Sequence, residues 1–138
     1  MFSHIMVPVD LSVKDTLTKA LDAAADMARL YDARLTLVSV CGGIQAKVSH
    51  SIETYSRLLD IFAEELGQGK GIEVSTLTIS VPDPSVEVDA KLRQTIDEIG
   101  IDLVVIASHQ PGWAEYIVAS HGGRLAVHAP ISVFVVRD

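Results

Sequence analysis

Five consecutive apolar residues, Leu103-Val104-Val105-Ile106-Ala107, constrain this chain more than any other stretch. Side chains alternate between faces along a strand, so a run that is apolar at every position needs cover on both sides. Helices packed on a parallel sheet provide that cover. Ile5–Val9, stopped by Asp10, and Leu35–Cys41 are two further apolar runs. Ile72–Val81 is rich in β-branched residues and reads as a third strand, and Ile131–Val136, after Pro130, reads as the last.

Helical stripes lie between these runs. Leu17, Leu21, Ala24, Ala28 and Tyr31 recur at spacings of three and four, as do Ile52, Tyr55, Leu59, Phe62 and Leu66. Gly67 is the expected C-cap of the second stripe. Val88, Leu92, Ile96 and Ile99 give a third inner face, ended by Gly100, and a short helix is expected from about Ser120 to His128. Gly42-Gly43 opens a loop to about Ser51, Pro82-Asp83-Pro84 is a turn, and Ser108–Val118 is irregular. Five strands separated by four helical segments predict an α/β fold: one domain, residues 1–138, built on an open parallel five-stranded sheet with helices on both faces.

Composition narrows the function classes. At 138 residues, 49% hydrophobic and 21% charged, the chain fits one globular core and is neither disordered nor fibrous. A single cysteine, Cys41, excludes a disulfide framework and a cysteine-based zinc site. The net charge of −7 argues against a nucleic-acid partner and requires any phosphate to be held by local geometry. The amino terminus shows no signal-type pattern, and no apolar run approaches the roughly 20 residues of a membrane helix. A cytoplasmic protein without membrane insertion is expected.

In open parallel sheets, ligands bind beyond the carboxyl ends of the strands, where strand order reverses. That rule selects Pro8-Val9-Asp10, Val40-Cys41-Gly42 and Ala107-Ser108-His109-Gln110. Asp10 can accept hydrogen bonds from ribose hydroxyls or a base edge, or cap a helix starting near Ser12, or do both. The loop to Ser120 leads into a helix start, whose free amides and dipole suit phosphate. Ser120 is an N-cap candidate, and Gly122-Gly123 leaves the first turn bare for an anion or for close packing. His109 and His121 flank this loop as phosphate donors or plain surface residues; no third metal ligand accompanies them. His128 suits the end of its helix. Trp113 covers a ligand or packs its loop, and Arg124 steadies a phosphate, faces solvent or meets a second subunit. No phosphate loop of the Gly-x4-Gly-Lys-Ser/Thr type, no Gly-x-Gly-x-x-Gly after the first strand and no catalytic triad is present.

Three segments together resemble the universal stress protein family. Ile-Met-Val-Pro-Val-Asp-Leu-Ser (5–12) is similar to its opening strand and Asp-x-Ser turn. Asp102–His109 resembles its fourth strand and the Gly-Ser-His that follows. His128–Arg137 is close to its His-Ala-Pro-x-x-Val-x-Val-Val-Arg terminus. The resemblance spans the chain and implies an adenine nucleotide alpha hydrolase-like fold. It implies ATP or AMP as ligand, with or without Mg2+, with adenine and ribose near Pro8, Val9, Asp10 and Val40. Phosphates would lie near His109, Gln110, Ser120 and His121. ATP-binding members carry Gly-x2-Gly-x9-Gly-Ser/Thr. The matching positions here are Ala107, Gln110, Ala119 and Ser120, with the spacer one residue short. The Ser-His-x-Pro form at 108–111 is similar to a branch that lacks the first two glycines, some of whose members bind nucleotide. Gln110 either crowds the phosphates or supplies an amide donor.

The family further implies a homodimer through the terminal strand Ile131–Val136, with a tetramer as a larger assembly, and an unidentified protein partner. Two readings follow. One is a cytoplasmic stress-response regulator that binds ATP or AMP and is not an enzyme, slow ATP hydrolysis being the most chemistry it would do. The other is an interaction module of the same fold that binds no nucleotide. Nucleotidyltransferases need a His-x-Gly-His signature after the first strand, where this chain has Val-Pro-Val-Asp-Leu-Ser. Response-regulator receivers need an acidic cluster with a late lysine, and the last lysine here is Lys91.

Overall fold

The computed structural model describes residues 1–41, 52–80, 91, 94–108 and 131–137. Strands β1 (His4–Pro8), β2 (Arg34–Cys41), β3 (Val74–Ser80), β4 (Leu103–Ala107) and β5 (Ser132–Val136) form one sheet in the order β3-β2-β1-β4-β5. All four neighbouring pairs are parallel. β1 and β4 are buried at every position, as their unbroken apolar runs require. The chain moves one way from β1 to β3, then crosses back to β4 and on to β5. Right-handed crossovers therefore place the two helices between β1 and β3 on one face and the helical residues 94–99 before β4 on the other.

On the first face, α1 (Thr18–Tyr31) and α2 (Ile52–Lys70) cover Ile5, Val7, Val9, Leu35, Leu37, Leu103 and Val105. Helical residues 94–99 sit on the opposite face, where Ile96 and Ile101 pack with Met6, Val38, Val104 and Ile106. Lys70 and Asp22 pair at 2.6 Å, tying the end of α2 to α1. No described helix is long and apolar enough to cross a membrane. The expected loop from 42 to 51, the Pro82-Asp83-Pro84 turn and the short helix from about Ser120 to His128 lie outside the described residues.

Two local expectations are corrected. The segment after Asp10 is not the first turn of α1 but a tight 3-10 segment, Leu11–Leu17, broken at Val13 (φ −125°, ψ 24°). The regular helix starts only at Thr18. Gly67 is not a cap either. It lies inside α2 on the buried stripe Tyr55, Leu59, Ala63, Gly67, and the helix runs on to Lys70. A Cβ on Gly67 would sit 2.7 Å from the Ile72 carbonyl oxygen, so this glycine serves close approach. The left-handed residue that turns the chain is Gly71, at φ +68°.

Candidate functional site

The strand order reverses between β1 and β4, so the crevice selected by the sheet lies between their carboxyl ends. The backbone shows why it opens there. His4 O accepts from Asp102 N, while Val9 N donates to Val38 O. In a parallel ladder, alternate residues address opposite neighbours, so His4, Met6 and Pro8 direct their backbone groups toward β4. Proline has no N–H to give. Consistent with this, the β1–β4 ladder is confined to Ile5↔Leu103 and Met6↔Val104, whereas β1–β2 continues to Pro8↔Val38. The proline in the opening strand is thus where the central pair stops.

Asp10 stands at the mouth of this crevice, half-buried. The amide and hydroxyl of Ser12 both donate to its Oδ1, at 3.0 and 2.7 Å, making Asp10 the cap of the 3-10 segment. Its second carboxylate oxygen has no hydrogen-bond partner among the described residues. Capping thus occupies only one oxygen, and both roles read from the sequence are open to the same side chain. Pro8 and Val9 are buried beside it, and Val40 on β2 is half-buried. The side chains of Pro8, Val9 and Val40 are apolar, a setting suited to the face of a base.

Across the crevice, Ala107 is buried at the end of β4 and Ser108 is half-buried. The Ser108 amide already donates to Val136 O at 2.9 Å. What Ser108 offers a ligand is its hydroxyl, not its N–H. His109, Gln110, Ala119, Ser120 and His121, the expected phosphate side, lie outside the described residues, as do Trp113, Gly122, Gly123, Arg124 and His128.

The structure adds two side chains that sequence reading placed only in the core. Tyr55, in the first turn of α2, is buried with its hydroxyl beside β2. It donates to Ser39 Oγ at 3.3 Å, and Ser39 donates to Val9 O. The Leu11 amide donates to the Tyr55 hydroxyl at 3.3 Å. Burial pushes the Tyr55 phenol up, so it stays a donor across the physiological range. The signal was a serine inside the apolar run Leu35–Cys41 and a hydroxyl-bearing tyrosine on a stripe otherwise without polar atoms. Cys41 is buried, and burial also pushes its thiol up, away from the reactive thiolate.

Among the described residues no group of three or more His, Cys, Asp or Glu side chains is placed to hold a metal. A cleft of about 760 Å³ lies between α2 and β3, toward the amino end of the sheet, away from the crevice. Its lining includes Asp60, Glu64 and Glu73, and those charges disfavour a polyanion.

A doubly wound α/β domain with its crevice at a β1/β4 switch point belongs to the broad class of nucleotide-fold proteins. Within it, the model of the universal stress protein family matches residues 1–137, and the chain belongs to that family. The fold is of the adenine nucleotide alpha hydrolase-like type. Among solved structures, a universal stress protein family member from Burkholderia pseudomallei is 27% identical, with 98% of this chain and 96% of that chain covered and a TM-score of 0.69. The universal stress protein from Archaeoglobus fulgidus in complex with dAMP is 20% identical, with 97% of each chain covered and a TM-score of 0.69. An Arabidopsis thaliana family protein with AMP bound is 16% identical, with 98% and 91% covered and a TM-score of 0.65.

Proposed function

We propose that this chain is an adenine-nucleotide-binding universal stress protein, a cytoplasmic stress-response regulator that holds ATP or AMP as a signal and not as the substrate of fast chemistry. The carrying observation is Asp10: at the switch point, one carboxylate oxygen is spent on the cap and the other is left for a ligand. Family members solved with dAMP and AMP support the ligand class. In this reading residues 1–138 act as one domain of the Ser-His-x-Pro branch. Pro8, Val9, Asp10 and Val40 take the nucleoside. Ala107, Ser108, His109, Gln110, Ala119, Ser120 and His121 take the phosphates, with or without Mg2+. The protein acts as a homodimer joined through β5 and passes its signal to a protein partner.

The test is direct. Protein purified from cells is denatured, and the small molecules released are identified by mass; adenine nucleotide is expected. Calorimetry with AMP and with MgATP then compares the wild type with Asp10→Asn. Asparagine keeps the cap but removes the charged acceptor, so affinity should fall by roughly 10-fold or more. An empty protein that gives no heat with millimolar nucleotide supports the interaction module instead.

A further inference from the structure

Asp10 is gripped from both sides by a single chain of hydrogen bonds. The peptide before it ends in the Val9 carbonyl, and the peptide after it begins with the Leu11 amide. Leu11 N–H donates to Tyr55 Oη, Tyr55 O–H donates to Ser39 Oγ, and Ser39 O–H donates to Val9 O. Each hydroxyl accepts once and donates once in the same direction, the arrangement in which neighbouring hydrogen bonds polarise and strengthen one another. The ring so closed joins three elements distant in sequence: the β1 turn, the middle of β2 and the first turn of α2. Two further bonds brace it, Val9 N to Val38 O at 2.9 Å and Val13 N to Asp10 O at 3.1 Å. Ser39 is wholly buried and Tyr55 is 5% exposed, so water does not compete for these groups.

We infer that Tyr55, acting through Ser39, is the positioning residue of the nucleotide site: it fixes the backbone on both sides of Asp10 so that the carboxylate oxygen not used by Ser12 is held toward the crevice. The Asp10 side chain cannot do this alone, because its contacts to Ser12 are local and move with the turn. The link also makes the first turn of α2 part of the site. This role rests on the nucleotide reading for its effect on affinity, but not for its effect on the turn.

Tyr55→Phe keeps the buried ring and removes only the hydroxyl. In the free protein, hydrogen exchange of the Leu11 amide should speed up by roughly 5- to 10-fold, the loss of one ordinary hydrogen bond. AMP affinity should weaken by a comparable factor. Ser39→Ala, which cuts the chain one link further on, should do the same to a smaller degree. Ile96→Val, in the opposite layer, is the control for general loss of stability; it should leave Leu11 exchange and AMP affinity unchanged. Unchanged Leu11 exchange in Tyr55→Phe overturns the inference. So does an unchanged AMP affinity where the wild type binds AMP. If the wild type binds no nucleotide yet Leu11 exchange still accelerates, the grip on the turn stands and it is the nucleotide reading that falls.

Discussion

His4 enters β1 as a buried residue, 5% exposed, at the end of the sheet opposite the crevice. Its Nδ1 lies 3.0 Å from the Ile99 carbonyl oxygen, which can only accept, so Nδ1 carries the proton. Nε2, 2.6 Å from Thr36 Oγ1, then accepts from that hydroxyl, and the ring is neutral. Burial is the main cause of a lowered His4 pKa; the Ile99 carbonyl opposes it, nearby Arg34 adds to it and Asp102 opposes it. Because the folded value lies below the ordinary 6.5, the unfolded chain takes up the proton first as pH falls. Stability is therefore full above about 6.5 and declines from there down to the folded value. For Asp102, burial pushes upward, but the amides of Ser3 and His4 and the Ser3 hydroxyl outweigh it and hold the carboxyl below its usual 3.8. That contribution is present above 3.8 and lost only at lower pH, whereas the His4 contribution begins to fall near 6.5. Thermal melts should show Tm falling between pH 7 and 5, with a shallower fall in His4→Gln; parallel slopes would remove His4 as the cause. None of this was legible in the sequence, where His4 is one polar residue beside an apolar run and its partners lie 32 and 95 positions away. Asp10 was legible, because a carboxylate ending a buried strand marks itself.

The glycines of α2 show how an element can be read correctly and its end misplaced. Glycine near the end of an apolar stripe reads as a cap, and Gly67, Gly69 and Gly71 all qualify by position. What separates them is the neighbouring backbone, which no periodicity reports. Gly67 is packed under the Ile72 carbonyl, and Ile72 N returns a hydrogen bond to Gly67 O at 3.1 Å. Gly69 has nothing within 4 Å of an added Cβ, and Gly71 has open space but a positive φ. Alanine should therefore have opposite effects at two positions in one helix. Gly67→Ala forces β3 away from α2 and should cost about 1–3 kcal/mol, the usual range for overpacking. Gly69→Ala should be neutral or stabilise by up to about 1 kcal/mol through helix propensity. Urea unfolding of the two variants checks this, and a shared sign would show that the 67–72 contact does not govern the turn. The central strands, by contrast, were legible almost to the residue, since burial on both faces writes itself into the consecutive apolar positions of β1 and β4. The 3-10 segment was not, because Leu17 already belongs to the apolar stripe of α1 and no spacing marks the break at Val13.

Across the whole molecule, a five-stranded parallel sheet leaves two edges, β3 and β5, and the edges decide what the domain assembles with. At β5 the backbone direction can be read from the ladder. Ser132 N donates to Asp102 O, and Val136 O accepts from Ser108 N, so Ser132, Phe134 and Val136 address β4. Val133 and Val135 consequently turn their N–H and C=O groups outward, while Phe134 leaves 43% of its surface exposed on the same strand. An apolar strand whose outward donors have no partner among the described residues is a template for a second copy related by a twofold axis, which would pair antiparallel with it. Proline at 135 removes one outward donor and none of those used by β4. In sedimentation, the wild type should run at twice the 14.8 kDa chain mass, and Val135→Pro should shift toward the single chain while its far-UV circular dichroism stays unchanged. A wild type that sediments as one chain, or a variant that remains paired, would place the interface elsewhere. The same outcome bears on the crevice, because Ser108 hangs from β5 through Val136. On the proposed reading, a partner strand that steadies β5 would steady the β4 side of the nucleotide site, as Tyr55 would the β1 side. Loss of the dimer should then weaken AMP binding even though no residue of the partner need touch the nucleotide.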